Sequence, residues 1–251
     1  MTARSAMESA RELVAALQRP EAYPHAVDAA IRVAETHISW VLLTGEYAYK
    51  VKKPVKLSFL DYSTLERRHW LCEEELRLNR RLAPALYLGL SVVGGPRESP
   101  RVDGDGPPLE FAVRMRQFSP ADELGNLLAA AAVTESDVAA LGAGIARFHA
   151  AAAPAPEGSD YGRPETAHRV TMDNFAELRG LPESGDWRAS LSALEARLST
   201  LQHELRPLMD ERRRHGRVRE CHGDLHCGNV VRWDSVLTPF DGIEFDPALR
   251  F

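Results

Sequence analysis

The stretch CHGDLHCGN, residues 221–229, gathers two histidines, two cysteines, an aspartate and an asparagine into nine positions. Three chemistries compete for it. Structural zinc needs two separated ligand pairs, and the third cysteine, Cys72, stands alone. A metallophosphoesterase needs an early Asp-x-His and further histidines downstream, but Asp28 has no paired histidine and none follows His226. Phosphoryl transfer asks for a different set. One carboxylate orients and deprotonates the attacking hydroxyl, while an amide oxygen and a second carboxylate hold Mg²⁺ on the nucleotide phosphates. Asp224, Asn229 and Asp241 provide those groups, with His226 reading as a solvent-facing loop residue.

The surrounding segments predict an α+β chain in two lobes. Ala6–Gln18 reads as an amphipathic helix that ends at Arg19-Pro20, because a residue preceding proline leaves the helical region. Residues 29–35 are β-compatible. Ser39–Leu43 and Tyr47–Lys53 flank Thr44-Gly45-Glu46 and predict a hairpin. On its second strand Ala48, Lys50 and Lys52 share one face. Ser63-Thr64-Leu65-Glu66 has capping-box spacing with Ser63 as the cap, opening a helix that runs to about Ala83-Pro84. Leu86–Val93 and Glu110–Phe118 predict strands around a Gly/Pro-rich loop. Beyond Pro120 the chain turns helical: one helix follows Thr134 through His149, then comes a polar linker over Ala153–Pro164. Residues 186–215 form a long helical stretch stopped at Gly216. Val218–Cys221 and Leu237–Phe240 read as short strands bracketing the opening motif.

Hydrophobic residues make up 44% and charged residues 27%, and the net charge is −5. These values suit a globular chain and argue against a nucleic-acid binder held by bulk charge. The longest apolar run, Leu127–Val133, is far short of a membrane span. Three cysteines suggest no disulfide framework, so a cytoplasmic location is expected.

HGDLHCGN followed by PFDGIEFD resembles the aminoglycoside phosphotransferase-like branch of the protein kinase-like superfamily, and Asp224 and Asn229 keep the five-residue spacing of the kinase catalytic loop. ETHISWVLLTGEYAYKVKKPV, FLDYSTLERR, CEEELRLNRRLAP and LYLGL are similar to a bacterial group in which such a part is fused to a P-loop ATP-binding domain. The resemblance runs from about Pro20 to Phe251. It implies a two-lobed protein kinase-like fold: a small β-rich N-lobe over 1–117 that clamps ATP, and a helical C-lobe over 118–251. It implies Asp224 as catalytic aspartate, His222 as the loop histidine in a scaffolding role, and Asn229 and Asp241 as Mg²⁺ ligands. Lys50 matches the phosphate-pairing lysine, with Lys52 as runner-up. Glu75 matches its helical partner acid, with Glu74 as the alternative. Thr36 and Ser39 fall in the nucleotide loop, and Met115 and Gln117 in the adenine-contacting hinge.

The resemblance further implies transfer of a phosphoryl group from ATP to a hydroxyl of a small molecule. It also implies a C-lobe that continues in relatives beyond the equivalent of Phe251 and then into a P-loop domain, whose GxxxxGK[ST] motif is not found here. A shortened C-lobe would leave apolar surface for a partner or second copy to cover. The competing expectation is a catalytically weak or inactive nucleotide-binding fragment, a regulatory pseudokinase.

Overall fold

In the computed structural model, which describes residues 3–27, 30–57, 59–181 and 187–251, a six-stranded antiparallel sheet dominates the front of the chain. Its strands are Arg32–Glu35 (β1), Ser39–Leu43 (β2), Tyr47–Lys52 (β3), Tyr87–Gly94 (β4), Arg101–Val102 (β5) and Glu110–Arg116 (β6), in the order β1-β2-β3-β6-β4-β5. The expected hairpin forms, with Gly45 in its turn at φ +100°, a left-handed backbone that glycine adopts without a Cβ penalty.

Period-two alternation decides what each face buries. Trp40, Leu42, Tyr49 and Val51 point to one side and pack on Leu13 and Val14 of the N-terminal helix Ala3–Ala16 (α1) and on Leu17 just beyond it. Val41, Leu43 and Ala48 point to the other, where Phe111, Val113 and Met115 of β6 meet Cys72 and Leu76 of Leu65–Asn79 (α2). Each fully buried large aliphatic side chain contributes about 1.5–3 kcal/mol by leaving water, so the two faces hold α1 and α2 on opposite sides of the sheet. Lys50 and Lys52 lie on the α2 side, at registers opposite Val113 and Ser39 respectively.

The chain forms two compact units. The first runs to Phe148 and resumes over Asp224–Asp246; the second comprises His149–Gly223 and Pro247–Phe251. The point between Gln117 and Phe118 therefore falls inside the first unit. That unit also holds Leu124–Ala129 (α3), most of Glu135–Ala151 (α4) and an antiparallel hairpin, Val230–Trp233 (β7) with Val236–Pro239 (β8). Leu124 and Leu127 of α3 pack on Val230 and Leu237, and Arg232 reaches the Ala132 carbonyl at 2.8 Å. In the second unit Pro164–Arg179 (α5) and Trp187–Arg214 (α6) pair through Gln202, which donates to Thr171 at 2.8 Å and accepts from His168. Leu178, Leu194, Leu205 and Leu208 of this pair remain exposed. No described helix is long and apolar enough to cross a membrane.

Several expectations shift on contact with the structure. The α2 cap is Thr64, which accepts from Arg67 N–H at 3.3 Å, because Ser63 is engaged with Asp61 at 2.5 Å. The helix stops at Asn79, whose side-chain amide bonds back to the Glu75 carbonyl; turns follow to Ala83. The Gly/Pro-rich loop contains β5, brought so close that a Cβ at Gly94 would sit 2.4 Å from the Gly104 carbonyl oxygen. Val218–Cys221 is not a strand; Arg219 makes an isolated bridge to Pro154, and the partner of β8 is β7, on the C-terminal side of the motif. Helix α5 begins where the linker was expected to end. Ala29 and Asp186, in the expected first strand and long helix, lie outside the described residues.

Candidate active site

The α2 face of β3 carries two lysines into an apolar setting, where a charge persists only if carboxylates meet it. Glu75 meets both. Its Oε1 lies 2.9 Å from Lys50 Nζ and its Oε2 lies 2.6 Å from Lys52 Nζ, with the Glu75 side chain fully buried. Neighbouring Glu74 instead pairs with Arg77 on the helix surface, and Glu73 lies 3.5 Å from His69. Lys50 also donates to Asp241 Oδ1 at 2.5 Å. Lys52 donates to Glu244, and the Tyr62 hydroxyl donates to the same carboxylate oxygen. Burial opposes the charge on each lysine. Asp241 and Glu75 around Lys50, and Glu244 and Glu75 around Lys52, overcome it and hold both pKa values well above the ordinary one. Burial likewise pushes Glu75 up, yet the two lysines win and hold its carboxyl at about 2.

Asp241 follows β8 in a left-handed backbone at φ 60°. Its N–H donates to the Tyr87 hydroxyl at 3.1 Å, and the next N–H, of Gly242, donates to Asn79 Oδ1 at 2.8 Å. Phe240 N–H donates to the Asn229 carbonyl at 2.9 Å, which brings the end of the 221–229 motif beside Asp241. Within that motif, Asn229 Nδ2 donates to the Asp224 carbonyl at 2.9 Å and to Asp224 Oδ2 at 3.2 Å. With Nδ2 engaged there, Oδ1 is the amide atom suited to a cation. His226 Nδ1 accepts from Gly228 N–H at 3.0 Å, so the neutral ring carries its proton on Nε2, which lies 3.6 Å from Asp224 Oδ2. His226 is thus exposed and also beside the aspartate.

Lys50, Asn229 and Asp241 line one cavity of ≈ 280 Å³, walled by Val41, Ala48, Met115 and Phe240. Thr36, Ser39 and Gln117 line it too. The Thr36 hydroxyl accepts from Ser39 N–H at 3.0 Å and lies 2.8 Å from the Ser39 hydroxyl, closing the β1–β2 turn on itself. Lys53 fastens that turn through Glu35 at 2.6 Å and the Thr36 carbonyl at 2.5 Å. Gln117 accepts from Gly45 N–H at 2.9 Å, tying the end of β6 to the hairpin turn. His222, the remaining candidate, lies buried in the second unit.

No protein-family model matches the chain. Uncharacterized proteins of Mycobacterium tuberculosis and Mycobacterium bovis are 30% identical to it over 234 residues, 92% of this chain and 45% of theirs. The chain thus spans about half the length of the curated relatives it matches.

Asn229 and Asp241, which line the cavity, offer hard oxygen donors, and these suit Mg²⁺ rather than a thiophilic metal. Among the described residues no group of three or more His, Cys, Asp or Glu side chains stands together as a metal cage. Two protein ligands are what a Mg²⁺ site shared with phosphates and water requires. Sequence reasoning missed Glu244, Tyr62, Asn79 and Tyr87. No local signal marked Glu244, which sits in PFDGIEFD 192 residues from its partner Lys52.

Proposed function

We propose that the chain is an ATP-dependent phosphotransferase acting on a hydroxyl of a small molecule, with a two-lobed protein kinase-like arrangement. The observation that carries this reading is Lys50 held between Glu75 at 2.9 Å and Asp241 at 2.5 Å, on the same cavity as Asn229. A lysine steadied by a helical glutamate, beside an aspartate and an asparagine, is the arrangement that nucleotide phosphates and their metal require.

The apolar walls around Met115 accept the base, and Lys50 meets the phosphates. Mg²⁺, when bound by Asn229 and Asp241, supplies neutralisation of the phosphate charge. Lys50 is bonded to Asp241, and a bound phosphate adds a second anionic partner for the same ammonium. Glu75 holds the ammonium in place from the helix side. Asp224 accepts the proton of the substrate hydroxyl as its oxygen bonds to phosphorus and ADP departs. Asn229 Nδ2 and His226 orient the accepting carboxylate.

Titration of the wild type with ATP in the presence of Mg²⁺ tests the reading, with Asp241→Asn as the comparison. The wild type is expected to bind, and the variant to lose the Mg²⁺-dependent part of its affinity, about 10-fold or more. Absence of Mg²⁺-dependent binding in the wild type sinks the proposal. Binding without turnover across hydroxylated acceptors would favour the regulatory, catalytically inactive reading.

A further inference from the structure

Five alternating charges form a closed circuit in the first unit. Asp241 pairs with Lys50, Lys50 with Glu75, Glu75 with Lys52, and Lys52 with Glu244. The chain itself closes the ring through Gly242 and Ile243. Each Glu75 oxygen serves one lysine, so neither ion pair can be displaced without disturbing the other. Glu244 and Lys52 are buried, and Tyr62, fully buried, donates to the Glu244 oxygen that Lys52 also contacts. Asp241, by contrast, is 39% exposed at its side chain and stands in a left-handed backbone. The exposed member of the ring is therefore held from its buried end.

We infer that Lys52, Glu244 and Tyr62 are positioning residues that fix the Asp241 carboxylate in front of Lys50. This rests on the phosphotransferase reading, in which Asp241 holds Mg²⁺. The segment 241–244 is clamped at both ends. Tyr87 and Asn79 take the first two N–H groups, and Lys52 with Tyr62 takes the last side chain. Neither Lys52 nor Glu244 lines the nucleotide cavity, so their action reaches it through Glu75 and the backbone of residues 242–243.

A purely structural ion pair and a positioning one respond differently to joint neutralisation. Lys52→Met or Glu244→Gln alone strands a buried charge and is expected to lower the melting temperature. The double variant removes both charges and is expected to regain much of that stability. If the pair positions Asp241, the double variant still needs about 10- to 100-fold more Mg²⁺ for half-maximal ATP binding, while ATP binding in EDTA is unchanged. Its Asp241 and Gly242 amides also exchange with solvent faster than in wild type, measured residue by residue by NMR, whereas amides in the middle of α1 do not. Wild-type Mg²⁺ dependence together with wild-type exchange in the double variant overturns the inference. A wild type with no Mg²⁺-dependent ATP binding removes the phosphotransferase reading, and the exchange measurement then decides alone whether Lys52 and Glu244 hold Asp241. Should the double variant fail to fold, Tyr62→Phe, which deletes one hydroxyl, carries the same two measurements.

Discussion

Under the proposed phosphotransferase reading, Asp224→Asn is expected to slow phosphoryl transfer by about 10²- to 10⁴-fold, the usual contribution of a positioned general base. That corresponds to roughly 3–5 kcal/mol of transition-state stabilisation. The substitution is nearly isosteric, and an asparagine oxygen can still accept from Asn229 Nδ2, which lies 3.2 Å from Asp224 Oδ2. Loop geometry is thereby retained while the ability to take a proton is lost. Asp224 does not line the cavity that Lys50, Asn229 and Asp241 share, so under the same reading ATP affinity in the presence of Mg²⁺ should stay within a few-fold of wild type. The measurement is ATP consumption across a panel of hydroxylated metabolites and aminoglycosides, followed by the same assay on the variant with any acceptor found. Full turnover by Asp224→Asn would falsify the catalytic assignment. A parallel loss of ATP affinity would move Asp224 from proton acceptance to nucleotide binding.

Glu75→Ala is expected to cost about 3–5 kcal/mol of stability, because it leaves two buried ammonium groups short of a counter-charge. This is a large share of the 5–15 kcal/mol that typically separates folded from unfolded chains, so the variant should melt far below wild type. Its pH dependence follows from the signs of the shifts. The Glu75 carboxyl titrates at about 2 in the folded chain against an ordinary 4.5, so its stabilising effect is complete above the ordinary value and fades as pH falls toward 2. The lysines are shifted upward, so their contribution is present below 10.5 and is lost only as pH rises through their folded values. Denaturant melts from pH 7 to pH 3 should therefore show a steeper acid loss in wild type than in Glu75→Gln, which has no proton to gain there. Equal slopes would remove Glu75 from the acid transition.

What the sequence disclosed follows the range of the interactions involved. The β2–β3 hairpin was legible because alternation in SWVLL and YAYKVK is local and its glycine turn is explicit. The Asp224–Asn229 contact was legible because five residues of loop suffice to make it. β5 was hidden because a two-residue strand carries no periodicity, and it forms only where Gly94 and Gly104 allow close backbone approach. The strand beside the motif was placed on its wrong side because Val218–Cys221 and Val230–Trp233 are equally β-compatible. Only pairing with Val236–Pro239 separates them. Glu244 escaped notice because its partner Lys52 is 192 residues away, and no local pattern marks a carboxylate that will be buried.

Cys72 makes the α2–sheet contact measurable in time. Its side chain is fully enclosed on α2, and burial pushes its thiol up to about 12, so at neutral pH it is both shielded and protonated. Cys227, by contrast, is exposed. A thiol reagent should consume Cys227 at once and Cys72 only when α2 lifts from the sheet, so the slow phase of labelling becomes a clock for that opening. Replacing Cys227 and Cys221 with serine isolates the slow phase. Because Glu75 grips two lysines from the same helix, the clock should run faster in Glu75→Gln than in wild type, which reads the hold of one carboxylate on an entire helix as a rate.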